Sequence, residues 1–187
     1  MSLFPTGPVV IVLAAGRGER FAASGGTVHK LQALLAGKRV IDHVLNAVKA
    51  SGLAYHVVEA DRSRPGMGDS IAAGVKATAS ATAWLILPAD LPLIRPSTLR
   101  SVAFAPTSAI TVPMYQGQRG HPVRFGLECA PSLLNLQGNQ GAAQLIRAQT
   151  ATDSIALLNV DDAGCVFDVD TQGDLARAEA WLLSRQG

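Results

Sequence analysis

Residues 9–20 read VVIVLAAGRGER, and this stretch indicates the fold class. Residues 9–13 are apolar and mostly β-branched with no polar residue between them, which is typical of a strand buried on both faces in a parallel sheet. A turn containing Gly16 and Gly18 follows at once. Because ligands collect at the carboxyl ends of parallel strands, this turn lies where a binding site is expected.

The rest of the chain alternates strand and helix patterns. Apolar residues at helical spacing between Val40 and Val48, followed by Gly52, predict a first crossover helix. We predict further strands at residues 55–59, 84–87, 109–114, 123–125 and 154–160, and helices at 70–79, from 96, on both sides of 138–141, and at 171–183. Ser70 and Thr171 are predicted helix caps. The alternation predicts an α/β fold, a three-layer sandwich with a mainly parallel, Rossmann-like central sheet, in which residues 1–187 form one domain.

Composition and charge argue against several classes of protein. Sixteen basic and fourteen acidic residues give a net charge of +2, and no basic run could follow a nucleic-acid backbone. The longest apolar stretch, residues 9–15, is too short to cross a bilayer. Cys129 and Cys165 form neither a disulfide framework nor a metal-ligand spacing, so we expect both to be small core residues. The sequence therefore predicts a cytoplasmic protein that binds neither nucleic acid nor membrane.

The turn after the first strand has the residues of an anion site. Glycines let backbone N–H groups approach a phosphate closely, and the guanidinium groups of Arg17 and Arg20 can fork onto its oxygens. A dinucleotide-binding fingerprint fails because Phe21 stands where the third glycine is needed, and the pair Gly37-Lys38 is not followed by the Ser or Thr of a Walker-type loop. On pattern alone, phosphate binding and an ordinary strand-to-helix turn remain open.

Two acidic segments predict a metal site. Asp90 directly follows an apolar strand, and Asp168 and Asp170 lie near the carboxyl end of the chain. Mg²⁺ prefers a few carboxylates together with water and substrate phosphates, so convergence of these segments would suit it. Each aspartate taken alone fits a cap or turn role equally well.

Two further segments place polar groups beside glycines. Residues 66–70, GMGDS, open a helix whose free N–H groups could bind a phosphate or a base edge, although a simple helix cap explains them as well. Arg119 and His121 flank Gly120 and precede Pro122, which suits either a second substrate or a hairpin turn with solvated side chains.

Six segments together resemble the nucleotidyltransferase family that includes molybdenum cofactor cytidylyltransferase and guanylyltransferase. They are residues 13–21 with Lys30-Leu31, then 66–70, 90–93, 119–123, 138–141 and 168–171, in the family's order. The resemblance implies a nucleotide-diphospho-sugar transferase-like form of the predicted sandwich. It also implies transfer of a nucleotide from CTP or GTP to the terminal phosphate of molybdopterin, with Mg²⁺ as cofactor and pyrophosphate as product.

The resemblance also implies a role for each matched residue. Arg20, Lys30 and Asp90 carry catalysis, since the first two grip the triphosphate and the third is the principal Mg²⁺ ligand. Asp170 is implied as the second metal ligand, with Asp168 as its alternative. Residues implied to bind the nucleotide are Leu13, Ala14, Ala15, Gly16, Arg17, Gly18, Gly66 and Ser70; those implied to border the acceptor are Arg119 and His121.

The chain departs from the family pattern at several positions. Residues 21–29 separate Arg20 from Lys30, a longer gap than usual, so Lys30 is expected to approach the phosphates from a different angle or after loop closure. Ala89 replaces a common glycine, and Ala143 stands where many relatives have arginine near the acceptor. Ala15, in a Leu-Ala-Ala-Gly sequence, favours CTP over GTP within the resemblance.

Three other functions are consistent with parts of the pattern. One keeps the chemistry but uses another small phosphorylated acceptor. Another is a non-catalytic nucleotide-binding protein that helps molybdoenzyme maturation, with a molybdoenzyme or its chaperone as partner. A third, a dinucleotide-dependent oxidoreductase, is disfavoured by Phe21 in the fingerprint.

Overall fold

A computed structural model describes residues 7–16, 18–61, 66–106, 109–150 and 155–184. The strands are β1 Pro8–Ala14, β2 Leu34–Leu35, β3 Lys38–Arg39, β4 Ala54–Glu59, β5 Ala83–Pro88, β6 Ile110–Tyr115, β7 Gln118–Arg119, β8 Val123–Gly126 and β9 Ile155–Asn159. The helices are α1 Glu19–Ala23, α2 Val40–Ser51, α3 Met67–Ala77, α4 Pro96–Ala103, α5 Ala130–Leu134, α6 Ala143–Thr150 and α7 Gln172–Ser184, and short 3-10 turns cover Lys30–Gln32, Leu127–Cys129 and Ala163–Val166.

Seven strands form one mixed, mainly parallel sheet in the order β4-β1-β5-β8-β6-β7, with β9 paired to β6. The pairs β1/β4, β1/β5 and β6/β9 are parallel, as the sequence predicts. Strand β8 runs antiparallel between β5 and β6. This reversal matters for the site, because it brings the amino end of β8 beside the carboxyl end of β5.

Helices cover both faces of the sheet and confirm the three-layer sandwich. In β1, Val10 and Val12 pack into one core with α2, α4 and α7, whereas Val9 and Ile11 pack into the other with α3 and α5. All four are inaccessible to solvent, which explains the unbroken apolar pattern of this strand. The free cysteines Cys129 and Cys165 are buried, as expected.

The helix boundaries confirm some predicted caps and correct one. Gly52 ends α2 with a positive φ of 74°, and the Thr171 hydroxyl accepts the Asp174 N–H at the start of α7. The prediction that Ser70 caps a helix is wrong, because α3 begins at Met67 and Gly66 is its N-cap. Within the residues that the structure describes, no helix is both long and apolar enough to span a membrane.

Candidate active site

The carboxyl ends of β1 and β5 open into a cavity of about 1000 Å³. Its lining includes most residues that the sequence assigns to a site: Leu13, Ala15, Gly16, Arg20, Lys30, Gly66, Ser70, Asp90, Arg119, His121, Asp168 and Asp170. Ala14 and Gly18 do not line it, and Arg17 lies outside the described residues. The fold therefore brings together residues as far apart in the chain as Leu13 and Asp170.

A bridge formed by Lys30 lies at the centre of this cavity. The Lys30 Nζ donates to Asp90 Oδ2 at 2.6 Å and to Asp170 Oδ1 at 2.7 Å, and its side chain is only 11% exposed. The two carboxylates meet because the backbone N–H of Val169, a fully buried residue, donates to the carbonyl oxygen of Asp90 at 2.9 Å. The predicted convergence of the two acidic segments is thus present.

Charge in this cluster is strongly coupled. Burial alone would lower the pKa of Lys30, but the nearby charge of Asp90 and the hydrogen bonds to both carboxylates outweigh burial and raise it. The Lys30 hydrogen bond holds the pKa of Asp170 below its usual value, and Arg20 acts in the same direction. Lys30 and Asp170 are therefore both charged near neutral pH.

Arg20 joins the same cluster from the surface. Its Nη1 donates to Asp170 Oδ2 at 2.6 Å, while 80% of its side chain is exposed. Exposed ion pairs of this kind contribute little to stability, so Arg20 can leave Asp170 at small cost when another anion arrives. Arg20 and Lys30, the residues predicted to grip a triphosphate, therefore pair with the predicted metal ligands in this structure.

The long segment 21–29 is folded rather than an open loop. Its first part lies in α1, where Phe21 is fully buried, and a Cβ at Gly26 would come within 2.4 Å of the Phe21 ring. The chain then returns to His29 and places Lys30 at the cluster. The extra residues thus form a short helix and return that deliver Lys30 directly to Asp90.

His29 is a site residue that sequence reasoning missed. Its Nδ1 accepts the Leu31 backbone N–H at 3.3 Å, which assigns the ring proton to Nε2, and Nε2 donates to the Gly16 carbonyl oxygen at 2.7 Å. His29 therefore ties the glycine turn to the segment that carries Lys30. The sequence contains no signal for this contact, because Gly16 is thirteen residues away across an irregular turn.

The start of α3 is fastened to the loop at residues 137–141. Asp69 accepts the Gly66 N–H at 3.2 Å and the Gly138 N–H at 3.0 Å, and Gly68 donates to the Gly138 carbonyl oxygen at 2.8 Å. The N–H groups of Gly66 and Gly68 are thus engaged within the protein. The Ser70 hydroxyl donates to Gly66 at 3.1 Å, so this buried side chain stabilises the helix start beside the cavity.

His121 reaches the cavity because β8 is antiparallel. Val123 pairs with Ile86 near the end of β5, which places the preceding His121-Pro122 cis peptide beside Asp90. Burial lowers the pKa of His121, against the opposing charges of Asp90 and Asp168, so the imidazole is neutral near pH 7. Its Nδ1 is buried and has no hydrogen-bond partner among the described residues. His121 is thus half-buried at the cavity wall, which favours contact with a second substrate over a solvated hairpin side chain.

The neighbouring segments hold this hairpin in place. The His121 N–H donates to the Cys165 carbonyl oxygen at 2.8 Å, and a Cβ at Gly120 would lie 2.5 Å from the same oxygen. Gly120 is therefore required by close packing rather than by flexibility. Burial raises the pKa of the Cys165 thiol to about 11, so this cavity-lining group is protonated and unsuited to nucleophilic attack.

Helix α6 contributes a residue that the sequence did not single out. Ala143 lines the cavity, and so does Arg147 four residues later. The Arg147 Nε donates to the Ala143 carbonyl oxygen at 3.3 Å, so the side chain folds back along the helix over position 143. The sequence signal that could have revealed Arg147 is its position four residues after Ala143, since residues at this spacing are neighbours on one face of a helix.

Comparison with known proteins identifies a matching family and proteins of the same fold. Residues 49–154 match the family described as the MobA-like NTP transferase domain, which is more than half of the chain. The chain is similar to the purine catabolism protein PucB of Bacillus subtilis, with 27% identity over an alignment covering 86% of this chain and 90% of PucB.

Two solved structures share the fold. A nucleotidyl transferase from Methanothermobacter superposes with a TM-score of 0.79 at 22% identity, covering 97% of this chain and all of that one. A molybdopterin-guanine dinucleotide biosynthesis protein A from Archaeoglobus fulgidus superposes with a TM-score of 0.64 at 17% identity, covering 94% and 99% of the two chains. At these identities the likeness concerns the fold.

Proposed function

Because the chain belongs to the MobA-like NTP transferase family and is a nucleotidyltransferase of that family, we propose that its acceptor is a molybdopterin-type cofactor. In the proposed reaction the chain moves CMP, in preference to GMP, from the nucleoside triphosphate to the terminal phosphate of that cofactor and releases pyrophosphate. The observation that carries the proposal is the cluster of Lys30, Arg20, Asp90 and Asp170 inside a cavity at the carboxyl edge of the sheet.

The residues of this cluster fit a magnesium ion. Asp90 Oδ1 is buried without a hydrogen-bond partner in the described part of the chain, and the Lys30 ammonium already lies between Asp90 and Asp170. No group of three or more His, Cys, Asp and Glu side chains with metal-ligand geometry occurs among those residues. Two carboxylates completed by phosphate oxygens and water are the ligands that Mg²⁺ prefers. We assign Asp170 rather than the exposed Asp168 as the second ligand, because Asp170 shares the Lys30 contact.

The bound ion would supply charge neutralisation and alignment of the triphosphate. The protein's own part is to replace carboxylate contacts by phosphate contacts. Lys30 and Arg20 turn toward the anion, while His29 holds the Gly16 turn near it. The cations offset the charge that would otherwise repel a second phosphate.

The bond changes need no protein nucleophile. An oxygen of the acceptor phosphate forms a bond to the α-phosphorus, and the bond from that phosphorus to the α,β-bridging oxygen breaks, so pyrophosphate leaves with the electron pair. A phosphate monoester is largely dianionic at pH 7, so no proton has to be removed first. The protonated Cys165 thiol and the neutral His121 agree with this assignment.

Three observations support the choice of acceptor and base. The sequence motifs resemble molybdenum cofactor cytidylyltransferases, and one structure of the same fold is named a molybdopterin-guanine dinucleotide biosynthesis protein. Ala15 lines the cavity, and we expect its Cβ to crowd a purine base more than a pyrimidine. The name of PucB favours an enzyme of purine catabolism, or the chaperone of such an enzyme, as the recipient of the product.

Pyrophosphate release tests the proposal. Purified protein with Mg²⁺, CTP and molybdopterin should release pyrophosphate faster than with GTP in place of CTP. Asp90→Asn should abolish turnover yet retain the thermal shift caused by CTP, since nucleotide binding also uses other contacts. If neither CTP nor GTP gives any pyrophosphate release, the proposal is contradicted. Full function of Asp90→Asn in molybdoenzyme maturation would instead favour the non-catalytic accessory protein.

A further inference from the structure

The cavity contains more positive charge than its carboxylates pair with. Four Lys and Arg side chains line it among the described residues: Arg20, Lys30, Arg119 and Arg147. Arg20 and Lys30 are paired with Asp170 and Asp90. Neither Arg119 nor Arg147 has a carboxylate partner in the described ranges. Two arginines that line one cavity without a counter-ion indicate a place for an anion other than the triphosphate.

Arg147 is shaped for this task by its own helix. Among the residues that the structure describes, only its Nε forms a hydrogen bond within the protein, at 3.3 Å to the Ala143 carbonyl oxygen, and this bond holds the side chain along the surface of α6. Because residue 143 has only a methyl group, the guanidinium passes over it without obstruction. Its two terminal nitrogens are left to donate a forked pair of hydrogen bonds.

A second observation points to a polar ligand in the same cavity. Two residues after Arg119, the imidazole of His121 has a buried Nδ1 with no partner in the described part of the protein. A buried polar atom without a partner costs free energy unless a ligand satisfies it. His121 is close enough to Asp90 to feel its charge, so this wall borders the centre where the phosphates would meet.

We propose that Arg147, together with Arg119, binds the phosphate group of the acceptor and that α6 thereby selects acceptors ending in a phosphate monoester. The inference rests on the proposed function, because it takes the triphosphate to occupy Arg20 and Lys30. A second phosphate brought beside a triphosphate meets strong repulsion. Arg147 and Arg119 offset this repulsion and orient the attacking oxygen.

A binding experiment on the full chain tests Arg147 without relying on any particular acceptor. The nucleotide is whichever of CTP and GTP raises the melting temperature of the protein more. The protein is saturated with Mg²⁺ and the α,β-methylene analogue of that nucleotide, and binding of inorganic phosphate is then measured by calorimetric titration. Arg147→Ala should weaken phosphate binding roughly tenfold or more, as expected for a lost charge-assisted contact. The nucleotide-induced thermal shift should not change, since Arg147 is placed away from the triphosphate.

Arg100→Ala is the matched control. Arg100 is also an exposed helical arginine bonded to a backbone carbonyl at 3.3 Å, that of Ala50, but it does not line the cavity. Its replacement should leave phosphate binding unchanged. The double variant Ala143→Arg/Arg147→Ala carries its arginine one turn earlier on the same face of α6. This variant should regain phosphate binding, which a purely structural role for Arg147 would not allow.

The outcomes separate this inference from the proposed function. If the wild type turns over molybdopterin, Arg147→Ala should raise the KM for the acceptor roughly tenfold and leave the KM for CTP unchanged. If the wild type shows no turnover but phosphate binding depends on Arg147, the molybdopterin assignment is wrong and the acceptor site stands. Phosphate binding equal in wild type and Arg147→Ala, or absent from the wild type, overturns the inference.

Discussion

Replacing Lys30 by methionine should make the nucleotide-free protein bind divalent cations more tightly. The ammonium lies 2.6 Å and 2.7 Å from oxygens of Asp90 and Asp170, between the two proposed metal ligands. A metal ion entering this position must displace it. Methionine keeps most of the aliphatic side chain and removes the competing charge, so both carboxylates become available.

The size of the effect follows from the geometry. Two unit charges about 4 Å apart interact by about 4 kcal/mol at an effective dielectric constant near 20. Water reaches this cluster, since the side chains of Asp90 and Asp170 are 17% and 24% exposed, and it screens most of that interaction energy. A net gain of about 1.4 to 2.8 kcal/mol corresponds to roughly tenfold to hundredfold tighter binding.

Mn²⁺ is the probe, and its binding to the nucleotide-free protein is measured by electron paramagnetic resonance. Lys49→Met, a change in an exposed lysine of α2, is the control and should bind Mn²⁺ like the wild type. Adding Asp90→Asn to Lys30→Met should remove the gain. Unchanged or weaker Mn²⁺ binding by Lys30→Met would refute the idea that the ammonium occupies the metal position. Nucleotide transfer should be lost in Lys30→Met whatever its metal affinity, because Lys30 is also needed at the phosphates.

Three more changes test the surrounding structure. Burial lowers the pKa of His121, so below about pH 6.5 the unfolded chain takes up a proton that the folded chain does not. Stability measured by thermal unfolding in the presence of chelator should therefore fall as the pH drops below about 6.5. The fall should be steeper in the wild type than in His121→Gln. His29→Ala should raise the KM for nucleotide severalfold and cost about 1 to 2 kcal/mol of stability. His43→Ala, which loses a hydrogen bond to the Leu35 carbonyl oxygen outside the cavity, should affect stability alone, and equal KM values in both variants would show that the contact of His29 with Gly16 does not support nucleotide binding. Gly66→Ala would put a Cβ 2.0 Å from the Gly138 carbonyl oxygen and should destabilise the protein by at least about 2 kcal/mol in denaturant unfolding, so an unchanged midpoint would show that this contact relaxes freely.

Local sequence patterns were sufficient for the features that depend on neighbouring residues. The uniform apolar character of β1 reflects burial on both faces, and the position of Asp90 follows from where β5 ends. Thr171 at the start of α7 is likewise a local feature. The position of Asp170 is less local, because it lies eleven residues beyond the end of β9 and reaches Asp90 through the hydrogen bond from the Val169 N–H.

Contacts between distant segments account for what the sequence did not reveal. Ser70 fits a cap by residue type, but Asp69 fixes the start of α3 earlier by binding the Gly66 N–H. The contact of His29 with Gly16 depends on the path of segment 21–29, whose α1 has too few residues for a clear periodicity. Periodicity describes one element at a time, so it carries no information about such pairings.

The double contact of Asp69 with Gly66 and Gly138 makes the two walls of the cavity one mechanical unit. A shift of the loop that leads to α6 would pull on the start of α3, and the reverse also holds. Grafting a different acceptor preference onto this protein would therefore require residues 66–70 and 137–147 to be exchanged together. Hybrids that exchange only one of these segments should unfold at lower temperature than either parent.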